Sequence, residues 1–270
     1  MKKDLKRYAK IALREAAFFG GAICAKSGFA IVATTGYVYK VPRHMNGMDY
    51  AALTLGRYEK AEIKILRDHF CKAANIIEVG ANIGIVTRVA IMEKLEKEGR
   101  YLAVEPNPYA LDALYGNIRM CKGATKSKGY FVVNAALCGP EDNGKTGTLN
   151  VRPNLSSGLA SHTRSGALGP ETPVQVTMRS LSSLLDRSGM ESASLIIDAE
   201  GAEIDMLADT KGLKRIDQMA IELHETSLTG REETPNDVLQ NLQKQGFKVA
   251  GREANTYYLY RPERFSRLTA

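Results

Sequence analysis

From about residue 61 onward, short apolar runs alternate with segments of helical period, and most of the runs end on a glycine, an acid or an amide. Strands are expected at Asn75–Val79, Tyr101–Val104, Tyr130–Asn134, Leu195–Ile197, Gln218–Leu223, Phe247–Gly251 and Thr256–Tyr260. Helices are expected at Ala61–Cys71, at Ile83–Glu98 closed by Gly99, at Pro108–Met120, at Leu181–Ser188, from about Ala202, and at Pro235–Gln245. Residues 139–173 read as loop-rich, with short strands at Gly147–Arg152 and Val174–Met178. Strands this apolar are buried on both faces, so the expected fold is α/β: a doubly wound, mostly parallel sheet covered by helices. The last two strands are consecutive and should form an antiparallel hairpin on that sheet.

In such a sheet a ligand sits outside the carboxyl ends of the strands. Polar groups gather there from five separated segments. Glu78, Gly80, Asn82 and Gly84 end the first strand in EVGANIG, and Glu105 ends the second in AVEPNP. Asn134 and Ala135 follow the third, Asp198, Glu200 and Glu203 the fourth, and Glu222, His224 and Glu225 the fifth. The glycine-rich turn lets a ligand approach the backbone, and the helix after it offers free N–H groups. An acid at the end of the second strand is where ribose hydroxyls are held in doubly wound folds. A dinucleotide fingerprint needs a second glycine where Asn82 stands, and no P-loop motif is present. Glu78 would repel a pyrophosphate but suits a cationic ligand. S-adenosylmethionine carries an amine, a sulfonium and a ribose without phosphate, so the pattern points to it as cofactor.

The segments IIEVGANIGIVT, AVEPNP, VVNAAL, LIIDAEGAEIDML and IELHE, in this order over about residues 74–225, resemble the FkbM family of S-adenosylmethionine-dependent methyltransferases. DAEGAE is the most specific of them. The resemblance implies the class I methyltransferase fold, a seven-stranded Rossmann-like sheet, and methylation of hydroxyl oxygens on sugars and other small molecules. It implies that Glu78, Gly80, Asn82 and Gly84 line the methionine end of the cofactor. Glu105 would hold the ribose, Asn134 and Ala135 would lie near the adenine, and Asp198 would close the site. The family usually has a Lys where this chain has Ile196, which puts any role of that Lys in doubt.

A hydroxyl acceptor must lose a proton during in-line transfer, and His224, Glu200 and Glu222 are the candidate bases, in that order. Alternation places Glu222 and His224 on one face at a strand end. Asp198, Glu200 and Glu203 could be read as ligands of a divalent ion, but successive strand residues point to opposite faces, so no metal is expected. The long loop at residues 150–171 offers Arg152, His162 and Arg164 to a polar acceptor.

Charge narrows the partners. Residues 1–60 hold 11 Lys/Arg against 4 Asp/Glu, a balance of +7, whereas residues 61–270 hold 26 of each. A nucleic-acid binder would spread positive charge over its fold, so nucleic acid is not the expected partner. The chain divides into a basic extension (1–60) and a catalytic domain (61–270). A basic helix over Lys3–Phe19, a turn at Gly20–Gly21 and an extended segment over Phe29–Val38 are expected in the extension, read first as a soluble segment docked on the domain, with peripheral membrane contact through residues 1–40 as the alternative. Arg14, Glu15 and Lys26 spoil both a signal peptide and a spanning helix. Cys24, Cys71, Cys121 and Cys138 have neither zinc spacing nor the density of a secreted disulfide fold. They read as buried free thiols in a cytoplasmic, membrane-associated protein. Two other functions compete: a non-catalytic nucleotide fold docked to a membrane or partner, and a nicotinamide oxidoreductase.

Overall fold

The computed structural model describes residues 23–43, 45, 47–122, 129–151, 157–159, 172–224 and 234–264. The expected helix over Lys3–Phe19, Glu225 and the loop residues Arg152, His162 and Arg164 lie outside them.

A hairpin of β1 (Phe29–Ile31) and β2 (Val38–Lys40) comes first, then α1 (Gly47–Thr54) and α2 (Lys60–Asp68). The wound unit follows as β3 (Ala73–Val79), α3 (Ile85–Val89), β4 (Leu95–Val104), α4 (Pro108–Arg119) and β5 (Gly129–Val133). A side sheet is then built from β6 (Ala135–Leu137), β7 (Thr146–Val151), β8 (Ser157–Leu159) and β9 (Thr172–Arg179). The second half runs α5 (Leu181–Ser188), β10 (Ala193–Ile197), α6 (Ala202–Met206), α7 (Thr210–Leu213), β11 (Ile216–Glu222), α8 (Pro235–Lys244), β12 (Lys248–Glu253) and β13 (Thr256–Tyr260).

The main sheet has seven strands in the order β12-β13-β11-β10-β3-β4-β5. β11, β10, β3, β4 and β5 are parallel, and β13 is antiparallel to both its neighbours. This is the class I methyltransferase architecture expected from the sequence. From β3 the chain winds outward through β4 and β5, then returns to β10 and winds the other way. The strand order therefore reverses between β3 and β10, and a crevice opens at their carboxyl ends.

Alternation along each strand divides the core. Ile76, Ala103, Ile196, Ala220 and Tyr258 pack on the face covered by α2, α3 and α4, and Ile77, Leu102, Leu195, Ile197 and Ile221 pack on the other. The N-terminal segment joins the first of these layers through Ala25, Val32, Tyr39, Val41 and Leu53. Tyr39 Oη donates to the Ile85 carbonyl at 3.3 Å, and Asn117 clamps Lys40 by accepting from its N–H (2.7 Å) and donating to its carbonyl (2.9 Å).

Two expectations are corrected. The segment 29–38 is not one extended run: the chain turns back after Val32, whose carbonyl accepts from Thr35 and Gly36, and forms the β1–β2 hairpin. The helix expected to reach Glu98 ends in a wide turn at Ala90–Lys94. Ala73 pairs with Leu95 and Asn75 with Arg100, so the residues between bulge out of β4, with Glu98 in the left-handed region. Pairing with β3 overrides the helix propensity of LEKE. The four thiols are free, but only Cys121 and Cys138 are buried; Cys24 is exposed and Cys71 half-buried.

Candidate active site

A cavity of about 610 Å³ occupies the crevice. Gly80, Asn82, Glu105, Asp198, Glu200 and Glu222, all named from the sequence, line it. Ala136 and Leu137 of β6, with Leu149 of β7, form an apolar wall. Tyr58 and Glu59, between α1 and α2, and Glu62, in the first turn of α2, add to the lining.

The glycine turn is set by close packing. Gly80 has φ +83°, and a Cβ there would lie 1.7 Å from the Asp198 carbonyl oxygen, so only glycine lets the ends of β3 and β10 meet. Its N–H and that of Ala81 both donate to the Val104 carbonyl. Gly84, at φ +86°, works elsewhere: a Cβ would meet Leu114 Cδ1 at 2.9 Å, so it lets α3 pack on α4 and does not face the cavity.

Glu105 is buried at the end of β4. Its Oε2 accepts from Asn82 N–H at 2.6 Å and its Oε1 from Asn107 N–H at 2.7 Å. Burial pushes its carboxyl up to about 7, moderated by those two bonds. Each oxygen keeps a second lone pair for a hydroxyl on the cavity side. Asn82 in turn donates from Nδ2 to Tyr58 Oη at 2.8 Å.

Besides Gly84, three further expected cofactor contacts sit outside the cavity wall. Glu78 shares the Ile76 face of β3, beneath α3, where it accepts from Thr87 Oγ1 and, at 2.8 Å, from Tyr101 Oη. It braces the turn from behind. Asn134 Nδ2 donates to the carbonyls of Glu105 (2.8 Å) and Pro106 (3.0 Å) and staples the ends of β4 and β5 together. Ala135 is fully buried in the core, and the next two residues supply the wall instead.

The other half of the site is acidic. Glu203, 0% exposed, accepts from Gly201 N–H and His224 N–H at 3.0 Å and faces His224 Nδ1 at 2.6 Å. It is therefore a buried anchor, not a solvated helix charge. His224 Nε2 stands 3.8 Å from Asp198 Oδ1 and 3.7 Å from Glu200 Oε2. Burial would lower the imidazole pKa, but the Glu203 bond and the charges of Glu203, Asp198 and Glu200 outweigh it and raise it to about 10. This cage of carboxylates favours the imidazolium and so disfavours the ring as a proton acceptor.

Glu222 has the opposite character. Burial, then repulsion from Glu62, to which it is hydrogen-bonded, lifts it to about 7, against the lowering pull of His224. Asp198 is raised well above its ordinary value by burial and by Glu222, and its Oδ1 is shut off from solvent without a hydrogen-bond partner. Asp198, Glu200 and His224 each present a ligand atom within 4.8 Å of the others, a spacing a divalent ion could bridge after displacing the proton on Nε2.

Tyr58, Glu59 and Glu62 were not singled out from the sequence. The available signal was faint: two acids at i and i+3 flanking the apolar stripe of α2, with Glu59 turned into the left-handed region just before the helix.

The model of the Methyltransferase FkbM domain matches residues 78–249, more than half of the chain. The chain belongs to the FkbM methyltransferase family. No curated protein matches its sequence. Among solved structures, an FkbM methyltransferase from Methylobacillus flagellatus KT is similar over 90% of this FkbM-family chain, at 14% identity and a TM-score of 0.48. The chain spans 58% of that protein's length. A precorrin-6y C5,15-methyltransferase from Geobacter metallireducens GS-15 is similar over 73% of this chain and 84% of its own (12% identity, TM-score 0.38). Aeropyrum pernix fibrillarin, in complex with natively bound S-adenosyl-L-methionine, is similar over 70% of this chain and 66% of its own (12% identity, TM-score 0.37).

Proposed function

We propose that the chain is an S-adenosylmethionine-dependent O-methyltransferase acting on a hydroxyl of a sugar or other small molecule. The observation that carries this reading is the composition of one cavity. Its lining combines a close-packed glycine turn, the Glu105 carboxylate, an apolar wall from β6 and the acids Asp198, Glu200 and Glu222. The volume suits a cofactor with a small acceptor beside it. The donor set suits a ribose at Glu105 and a cation near Asp198, whose buried Oδ1 has no protein partner. The same acids oppose the pyrophosphate of a nicotinamide dinucleotide.

When bound, S-adenosylmethionine supplies a methyl group already activated on a sulfonium, so the chain's own work is positioning and proton removal. Glu105 orients the ribose, and Ala136, Leu137 and Leu149 exclude water from the base. The acceptor hydroxyl that took this methyl group would give up its proton to a carboxylate of the chain. Glu222, poised near 7, is the best-matched base, with Glu200 beside it. His224 holds Asp198 and Glu200 in place as a fixed cation.

Calorimetric titration of the full chain with S-adenosylmethionine and with NAD tests this. Saturable S-adenosylmethionine binding, weakened at least tenfold by Glu105→Ala, is expected. Binding of NAD instead, or of neither, would overturn the reading.

A further inference from the structure

We propose that the outer face of the β1–β2 hairpin docks on an anionic lipid bilayer. Antiparallel register sets Ile31 beside Val38 and Phe29 beside Lys40. Alternation turns Ala30 and Tyr39 into the core and leaves Phe29 47%, Ile31 62% and Val38 45% exposed on one face. Leu55, 62% exposed, lies beside the hairpin turn, where Gly56 packs on Thr34. Phe29, Ile31 and Val38 are neighbours on one face, whereas exposed apolar residues scattered singly would need no explanation.

The platform beneath them is rigid. Tyr39 is tied to α3 and Lys40 to α4, and Lys40 Nζ is paired with Asp112 at 2.8 Å. Nothing in the fold requires the outer face to be apolar, since its inward partners already hold the hairpin.

Charge selects the occupant. Residues 1–22 carry Lys2, Lys3, Lys6, Arg7, Lys10 and Arg14 against Asp4 and Glu15. Exposed Lys26 and Arg43 flank the hairpin, Arg43 lying along Gly28. Apolar side chains ringed by bases match the interface of an anionic leaflet, with its acyl boundary and its phosphates. A second copy of the chain would match the apolar face but bring the like charges together. Among the described residues no helix is long and apolar enough to cross a membrane, so the contact is with one leaflet.

The test is co-sedimentation of the full chain with vesicles of phosphatidylcholine alone and of phosphatidylcholine mixed with phosphatidylserine. Expected is binding to the mixed vesicles that weakens with salt, and a loss of at least tenfold in the Phe29→Thr/Ile31→Thr variant. Both positions are exposed strand sites that threonine fills, so its melting temperature should match that of the parent. Failure of the parent chain to bind mixed vesicles, equal binding to both vesicle types, or undiminished binding by the variant would each overturn the proposal. So would a concentration-dependent dimer that the variant abolishes, which would assign the face to a second copy.

Discussion

Replacing Glu203 by Gln should turn His224 from a fixed cation into a titrating base. The folded value of about 10 against an ordinary 6.5 means that the ring prefers its charged form by about 5 kcal/mol, at about 1.4 kcal/mol for each tenfold. At pH 7 only about one ring in a thousand is then neutral. Three carboxylates share that preference unequally: Glu203 makes the hydrogen bond at 2.6 Å, whereas Glu200 and Asp198 stand at 3.7 and 3.8 Å. Removing the nearest charge should lower the imidazole midpoint by about 2 pH units, within the usual effect of one close opposite charge. The fold should survive, because Gln keeps the shape and one acceptor, at a cost of about 1–3 kcal/mol for the donor left poorly paired. The assay is the pH dependence of the His224 Cε1–H resonance in parent and variant. A parent midpoint near 6.5 would refute the carboxylate cage and restore His224 as the first candidate base.

Four further outcomes are expected. Stability should fall as pH rises from about 4.5 to 10, because Glu78, Glu105 and Glu222 keep their protons to about 7 in the fold and His224 to about 10. In that window the native state binds more protons than the unfolded chain, so the melting temperature at pH 5 should exceed that at pH 8 by several degrees. Glu222→Gln should lower turnover by about 10²–10⁴ and remove the limb near pH 7 from the rate profile; a surviving limb would move the base elsewhere. Gly80→Ala should destabilise by more than about 3 kcal/mol, read from the denaturant midpoint, because the new Cβ would meet backbone at 1.7 Å where no side chain can yield. Turnover should survive a chelator, because the positive charge on His224, with Nε2 at 3.8 and 3.7 Å from Asp198 and Glu200, already balances the carboxylates a metal would claim; a loss restored by a divalent ion would assign the triad to a metal.

The sheet was legible because its signals are local. Each buried strand is a short apolar run closed by a turn residue, and Thr256–Tyr260 and Leu181–Ser188 coincide with their expected bounds. What the sequence obscured depends on contacts between distant segments. LEKEG reads as helix until β3 is beside it, since nothing in those residues encodes the pairing of Ala73 with Leu95. The β1–β2 turn was missed for a related reason: the run of Val, Ile and Tyr over residues 29–38 looks continuous, and only burial of Ala30 and Tyr39 against α3 and α4 shows where it folds back.

The site divides along the same line. Strand-end position is legible in sequence, and Gly80, Asn82, Glu105, Asp198, Glu200 and Glu222, all at or just after strand ends, line one cavity. Orientation is not. Glu78 and Glu105 are both acids at parallel strand ends, yet one faces Tyr101 in the core and the other faces the crevice. Glu78 lies inside β3, level with Ala103 on the α3 face, whereas Glu105 follows the last residue of β4, where the chain leaves the sheet and its carboxyl meets the Asn82 N–H at the crevice. Protonation is less legible still. His224 resembles a general base in sequence because a lone imidazole titrates near neutrality. It loses that property only because α6 carries Glu203 back under the end of β11, a contact between residues 21 positions apart. In the proposed mechanism the proton-accepting role falls to Glu222, whose own shift depends on burial and on Glu62 from a helix far away in chain order. The chemistry of this cavity is thus set by pairs that the fold assembles, and the Glu203→Gln titration measures the one pair on which the assignment of the base turns.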